Sequence, residues 1–217
     1  MYKKLIAVAA AASTIGLASV AFALSSTDYS LFDSAHYISP GNASARAVQL
    51  VSDNTQADGG IDFGLGSAAL TVADLTNLST DYKFEAGSCG GGSPRFQVNV
   101  QTPNGVKNIF AYLGAAPNYT NCPQNVWTNS GNLVTPASLV DASQLGGTFY
   151  EPWSAVVASY GSYPITGIQL VADAGWAFPS GQIADIDNTS INSTTYTYEI
   201  PTATSKDQCK NGGWQNF

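Results

Sequence analysis

Short runs of alternating apolar and polar residues, separated by turn residues, extend along most of the chain. In the clearest run, Phe96, Val98 and Val100 alternate with amide side chains. This is the period-two pattern of a strand with one buried face. A Pro-Asn-Gly turn follows, and a second apolar run comes after it. The pattern therefore predicts a β-hairpin over residues 95–113.

Similar patterns predict further strands on both sides of this hairpin. They lie at residues 46–52, 61–65, 69–71, 82–85, 165–172, 182–188 and 194–200. One helix is predicted at about 153–160, because a proline stands at its start and a glycine just beyond its end. Residues 114–147 are rich in asparagine, proline and glycine, so we expect long loops there with one or two short strands.

The predicted elements define the fold class. We count about eight to ten strands and one helix, without the strand–helix alternation of a parallel sheet. Strands with one polar face bury only their other side, so two such sheets pack face to face. We therefore predict an all-β fold, a jelly-roll-like antiparallel β-sandwich with one short helix.

The first 23 residues have the three parts of a secretory signal peptide. Lys3 and Lys4 form a basic start, an apolar stretch follows, and Ala21 and Ala23 precede the expected cleavage after Ala23. A membrane anchor is the alternative, but serine, threonine and glycine interrupt the apolar stretch, which suits a permanent span poorly. We expect a secreted, extracytoplasmic protein with no stable membrane span after cleavage. Its β-sandwich domain would occupy 24–200, followed by a linker and tail at 201–217.

The charge balance excludes two classes of partner. The net charge is −7, and removal of the two early lysines would make the mature chain more acidic. Such a chain is repelled by phosphate backbones and by anionic membrane surfaces, so no nucleic-acid partner is expected. Only 11% of the residues are charged, and the uncharged polar residues suit the loops of an extracellular β-protein.

The three cysteines predict one disulfide and one unpaired thiol. Cys89 and Cys122 both lie in loop-like surroundings inside the domain, and disulfides are permitted in an exported protein. We predict that these two are bonded. Cys209 then remains unpaired, either as a free thiol or as the link to a disulfide-bonded partner. The spacing does not fit a zinc site, and His36 is the chain's only histidine.

Residues 205–217, SKDQCKNGGWQNF, resemble a C-terminal segment of many uncharacterised secreted bacterial proteins. In those proteins the segment usually continues to a second cysteine and a short apolar stretch, which this sequence does not reach. The resemblance implies a bacterial origin and a truncated tail. It also implies the natural partner that Cys209 lacks.

The domain itself is similar to jelly-roll modules appended to carbohydrate-active enzymes. Residues 183–188 (IADIDN) resemble the penultimate strand of such modules, and residues 90–96 (GGGSPRF) carry the rest of the similarity. The resemblance implies carbohydrate binding as a tendency of the family, without assigning a site.

Three aromatic residues in loop-rich stretches are candidate ligand contacts. Tyr119, Trp127 and Trp176 could stack on the apolar faces of sugar rings while neighbouring polar side chains bind the hydroxyl groups. The alternative is that these rings close the ends of the sandwich or anchor loops. Trp153 begins the predicted helix, and we expect it in the core.

Two aspartates near the end of the domain form a candidate calcium site. Asp185 and Asp187 are two residues apart on a predicted strand, so their carboxylates share one face, while Ala184 and Ile186 face the core. Calcium prefers oxygen ligands, and Asn188 or Asp173 is a further candidate oxygen donor. The alternative is a solvated polar face. No other cofactor is predicted.

Catalytic chemistry has weak support in the sequence, and we assign no catalytic residue. A glycosidase needs two carboxyl groups around one bond, and Glu85 with Glu151 is the pair that the sequence offers. We expect Arg95 to pair with an acidic group such as Glu85 and to serve the structure.

The sequence therefore favours a secreted, non-catalytic module that binds carbohydrate or another cell-surface ligand. A structural envelope or assembly protein is the alternative, because Cys209 is unpaired and uncharged strands suit edge pairing. A glycoside hydrolase-like enzyme is the second alternative.

Overall fold

The computed structural model describes residues 29–65 and 69–199, most of which lie in short antiparallel strands and their connections. The predicted signal peptide, Cys209 and the tail lie outside the described residues. None of the described helices has the length and apolar character that a membrane crossing requires.

The strands follow one another along the chain with few long interruptions. They are β1 (Tyr29–Asp33), β2 (His36–Ile38), β3 (Ala47–Ser52), β4 (Gly59–Phe63), β5 (Leu78–Ala86), β6 (Arg95–Thr102), β7 (Gly105–Tyr112), β8 (Thr128–Asn129), β9 (Leu139–Val140), β10 (Glu151–Pro152), β11 (Ile165–Ala172), β12 (Gln182–Ile191) and β13 (Thr194–Tyr196). The α-helix α1 (Trp153–Tyr160) follows β10 directly. Three short 3₁₀ turns lie at Val72–Asp74, Ser143–Leu145 and Gly175–Ala177.

The strands form two main sheets. The first sheet has the order β1-β4-β11-β6-β7, and the second has β2-β3-β12-β5-β8, with β13 also paired to β12. β9 and β10 form a separate two-stranded ribbon. The central strands of the two sheets, β11 and β12, are consecutive in the chain. Their connection crosses one end of the sandwich.

The core lies between the two sheets. Leu170 and Phe96 of the first sheet and Ile186 and Phe84 of the second are fully buried and belong to one apolar cluster. Apolar residues at alternate positions supply this cluster, as a sheet with one buried face requires. The predicted all-β sandwich is therefore confirmed.

The local predictions agree with the structure in most places. The hairpin at 95–113 is β6 and β7, joined at Thr102 and Gly105. The predicted helix is α1, and Trp153 is buried in the core as expected. The prediction of a strand at 69–71 is wrong for its described residues, where Thr71 makes only an isolated bridge with Pro164.

The predicted disulfide is confirmed. Cys89 and Cys122 are bonded, with their Cα atoms 5.4 Å apart. Gly114 has φ +99° and lies against this bond, so that an added Cβ would come within 2.6 Å of the Cys89 sulfur. Only glycine fits both the left-handed backbone and the contact.

Candidate functional site on the outer face of the first sheet

The solvent side of the first sheet carries a row of polar side chains across adjacent strands. The pairing register places Gln97 of β6 opposite Gln169 of β11, and Gln169 opposite Asp62 of β4. On its other side Gln97 faces Phe110 of β7. These side chains alternate with core residues, so all of them point away from the second sheet.

Hydrogen bonds join the polar side chains into a chain of amides. The Gln169 amide donates to Asp62 Oδ1 (2.5 Å), and the Gln97 amide donates to Gln169 Oε1 (3.0 Å) and to Asn99 Oδ1 (3.3 Å). Among the described residues, Asp62 Oδ2, Gln97 Oε1 and the Asn99 amide have no hydrogen-bond partner. The row therefore offers both acceptors and donors to a ligand.

Aromatic rings flank the amides on the β7 side. Phe110 and Tyr112 lie on the outer face of β7, with ring centroids 6.4 Å apart and planes at 26°. Phe149 stacks on Tyr112 at 5.8 Å and 24°. Tyr150 meets Phe149 edge to face at 5.1 Å. Phe149 and Tyr150 are 50% and 44% exposed, so apolar ring surface is open to solvent here.

A further ring borders the row on the β1 side. The Phe32 ring lies over Gly60 of β4, where any side chain would overlap it. We call the surface formed by these residues the aromatic–amide face. Its members are Phe32, Asp62, Gln97, Asn99, Phe110, Tyr112, Phe149, Tyr150 and Gln169.

An ion pair fixes one border of the aromatic–amide face. Arg95 binds Asp173 through both guanidinium nitrogens, at 2.6 and 2.7 Å, and donates to the carbonyl of Gly92. Its guanidinium lies 5.0 Å from the Phe110 ring centroid, within cation–π range. Arg95 thus pairs with an acidic group as expected, but the partner is Asp173 and not Glu85, because the pairing of β11 with β6 brings Asp173, directly after β11, beside Arg95.

The hydroxyl of Tyr112 is held beneath the rings. It donates to Asp141 Oδ2 at 2.9 Å, in a buried position. Burial, and then the hydrogen bond to this carboxylate, raise the pKa of Tyr112 above its usual range. The phenol therefore stays protonated, and the bond fixes the ring on which Phe149 stacks.

The structure places two of the three predicted aromatic ligands beside this face. Tyr119 is buried, stacks on Tyr150 at 6.2 Å and donates to the Leu139 carbonyl at 2.8 Å. It therefore supports the exposed ring instead of presenting its own. Trp176 is 77% exposed and lies beside Gly91, next to the glycine that Arg95 binds.

The third predicted ligand, Trp127, lies elsewhere. Its ring is 5.2 Å from the Lys83 ammonium on β5 of the second sheet. Lys83 also contacts Glu85 at 2.5 Å and Asp185 at 2.9 Å. Trp127 therefore does not join Tyr119 and Trp176 in one site.

The candidate calcium pair is buried, not solvated as the alternative interpretation expected. Asp185 and Asp187 are 1% and 0% exposed. Asp185 accepts from the Gln49 amide at 2.8 Å and pairs with Lys83. Burial raises its pKa, against the opposing effect of these two partners. Strand β12 is covered on both faces here, which strict alternation does not reveal.

Asp187 is held by a different set of donors. Its Oδ2 accepts from the Asn42 backbone at 2.8 Å and the Ser44 hydroxyl at 2.6 Å, and its Oδ1 from the Asn188 backbone at 2.7 Å. Burial raises its pKa as well, and these hydrogen bonds oppose the rise. The two carboxylates thus have separate partners.

The other suggested calcium ligands also have partners of their own. Asp173 binds Arg95, and the Asn188 amide donates to Asp81 at 2.9 Å. Within residues 29–65 and 69–199, no group of three or more histidine, cysteine, aspartate or glutamate side chains is arranged to hold a metal ion. Calcium binding by Asp185 and Asp187 stays a hypothesis from the sequence, and the hydrogen bonds of the two carboxylates do not favour it.

The two glutamates considered for glycoside hydrolysis have unrelated surroundings. Lys83 lowers the pKa of Glu85, and hydrogen bonds from Thr148 lower the pKa of Glu151. The general acid of a glycosidase is a carboxyl group whose pKa is raised, and both of these pKa values are shifted in the opposite direction.

Sequence reasoning missed most of the aromatic–amide face. The outward direction of Gln97 and Asn99 was readable from the alternation in β6. The alternation of residues along β7 indicates the same outward direction for Phe110. The neighbours Asp62 and Gln169 are set by the register of non-local pairing, which one sequence does not reveal.

Comparison of the chain with protein families, with curated proteins and with solved structures gives no match.

Proposed function

We propose that this chain is an exported, non-catalytic module that binds carbohydrate on the aromatic–amide face. The observation that carries the proposal is the stack of Phe110, Tyr112 and Phe149 beside the amide row of Gln97 and Gln169. Sugar rings have apolar faces and hydroxyl edges, so a good site combines flat aromatic surface with fixed polar groups.

The arrangement of polar groups supports ligand binding. The amides are held by one another across strands and lie on sheet backbone instead of flexible loops. Polar groups that are already fixed lose little conformational entropy when a ligand binds. The resemblance of residues 90–96 and 183–188 to carbohydrate-binding jelly rolls favours the same function.

Export is supported by two independent features. The first 23 residues have the pattern of a signal peptide. The disulfide between Cys89 and Cys122 is of the kind that persists in oxidising compartments. We therefore propose that the module acts outside the cytoplasm, on glycans of its own or another cell surface or of the surroundings.

Pull-down with insoluble polysaccharides and affinity electrophoresis in soluble ones test the proposal. Cellulose, xylan, mannan, chitin, β-1,3-glucan and polygalacturonate form a suitable panel. We expect wild-type protein to be retained by at least one of them. Phe149→Ala should weaken this binding about tenfold or more, which corresponds to a loss of about 1.4 kcal/mol, because it removes the most exposed ring of the stack.

Trp127→Ala is the matched control, since it deletes an aromatic ring from the second sheet and leaves the face untouched. It should bind like wild type. Folded protein that binds none of the panel would refute the proposal, and loss of binding in Trp127→Ala but not in Phe149→Ala would move the site to the second sheet.

A further inference from the structure

The charge on the aromatic–amide face limits the kind of glycan that it can hold. Arg95 is its bordering cation, and Asp173 and the Gly92 carbonyl occupy the guanidinium. Asp62 brings a carboxylate whose Oδ2 has no partner among the described residues. This carboxylate would repel an anionic sugar, and Arg95, already paired with Asp173, would not offset the repulsion.

The free hydrogen-bonding groups fit hydroxyl groups. Asp62 Oδ2 and Gln97 Oε1 accept, and the Asn99 amide and the second hydrogen of the Gln169 amide donate. A hydroxyl group donates one hydrogen bond and accepts others, so a ligand with many hydroxyls can satisfy both kinds of group.

The direction of the row sets the direction of the ligand. Asp62, Gln169 and Gln97 lie on three adjacent strands, and neighbouring strands are about 4.8 Å apart. The row ends at exposed residues on both sides, at Ser30 on β1 and at Phe149 and Tyr150 beyond β7. A chain that lies along the row can therefore extend past either end.

We infer that the ligand is an internal segment of a neutral polysaccharide, lying across the strands of the first sheet. This inference rests on the proposed carbohydrate-binding function. It excludes polyuronates and sulfated glycans as preferred ligands, and it excludes recognition of a chain end.

Isothermal titration calorimetry on the full exported chain tests the inference. The probes are cellohexaose, xylohexaose, mannohexaose, laminarihexaose and chitohexaose, with hexagalacturonate as the anionic counterpart. We expect one or more neutral probes to bind with little dependence on salt, and hexagalacturonate to bind at least about tenfold more weakly. The disaccharide of the best neutral series should also bind about tenfold more weakly than the hexasaccharide.

Asp62→Asn tests the part played by the carboxylate. The substitution keeps an oxygen that accepts from the Gln169 amide but removes the negative charge. We expect it to narrow the difference in affinity between the neutral probe and hexagalacturonate. Asp53→Asn makes the same charge change in the loop after β3 of the second sheet, where the Asp53 carboxylate accepts only from Thr55 and Gln56 of its own loop. It should leave the difference in affinity unchanged.

The outcomes separate this inference from the proposed function. Tighter binding of hexagalacturonate that Phe149→Ala weakens would overturn neutral selectivity while leaving carbohydrate binding intact. A disaccharide that binds as well as the hexasaccharide would overturn the internal-segment geometry. If none of the oligosaccharides and none of the polysaccharide panel binds, the proposed function and this inference fail together.

Discussion

Asp187 shows how a single buried carboxylate can fix a long connection. Its oxygens accept three hydrogen bonds, from Asn42, Ser44 and Asn188. Asn42 also reaches Asp81 on the neighbouring strand at 2.8 Å. A buried charge is tolerated only when it is well hydrogen-bonded. The carboxylate therefore holds the segment between β2 and β3 over the outer face of the second sheet.

Asp187→Asn should destabilise the protein by about 1–3 kcal/mol near neutral pH, because the new amide group must face the Asn188 N–H. Burial raises the pKa of Asp187 above its ordinary value of 3.8, so the fold binds this proton more tightly than the unfolded chain does. The stabilisation from protonation is complete below 3.8 and is lost as the pH rises through the folded-state pKa. Urea unfolding of wild type and Asp187→Asn between about pH 4 and 7 tests this. The free energy of unfolding of the wild type should exceed that of the variant by more as the pH is lowered. If the difference in free energy of unfolding were constant across this pH range, the raised pKa of Asp187 would be contradicted.

Calcium should have little effect on stability if Asp185 and Asp187 act as the hydrogen bonds suggest. Lys83 and Gln49 bind one carboxylate, and loop donors bind the other. We therefore expect the same Tm in EDTA and in millimolar CaCl₂. A rise of Tm with calcium that Asp185→Asn abolishes would establish the metal site instead.

At the scale of elements, the sequence identifies pieces whose signals are local. The hairpin of β6 and β7 has period-two alternation and a turn sequence, and α1 has boundary residues at both ends. The sequence analysis does not predict β1 or β2. In β1 the apolar residues Leu31 and Phe32 are adjacent, so Tyr29–Asp33 lacks a clean alternation. The structure explains this pattern, since Leu31 packs against the core and Phe32 covers Gly60 on the outer face.

The disulfide between Cys89 and Cys122 is expected to contribute strongly to the free energy of unfolding. It joins cysteines 33 residues apart and ties the connection after β5 to the one after β7. On the chain-entropy model, closing a loop of this length stabilises the fold by about 3–4 kcal/mol. The Cys89→Ala, Cys122→Ala double variant should unfold at a correspondingly lower urea concentration.

Wild-type protein unfolded in a reducing buffer provides the control for this comparison. Its midpoint should approach that of the double variant, and the reductant should not alter the variant itself. Equal midpoints for the variant and the oxidised wild type would show that the loops are held by packing alone.

At the scale of the whole molecule, topology explains why the site had to be found in the structure. Its polar row joins β4, β11 and β6, which are far apart in sequence and become neighbours only through the sheet order. Phe149 comes from a loop that reaches β7 through the pairing of Asp141 with Phe110. The local sequence around each of these residues does not mark it as part of a site. Only the pairing register of the strands brings the residues onto one surface.

The same topology predicts that the two sheets unfold together. Leu170 on β11 and Ile186 on β12 are both fully buried in one apolar cluster that draws side chains from each sheet. Leu170→Ala and Ile186→Ala should each cost about 2–5 kcal/mol, because each leaves a cavity between the sheets. The described chain passes directly from one main sheet to the other at six connections, β1–β2, β3–β4, β4–β5, β5–β6, β7–β8 and β11–β12. Neither sheet can therefore keep its strands once the other has separated. In urea, far-UV circular dichroism and tryptophan fluorescence should therefore give coincident single transitions in the wild type and in both variants. Two separated transitions, with only one of them shifted in each variant, would show that the sheets are independent units.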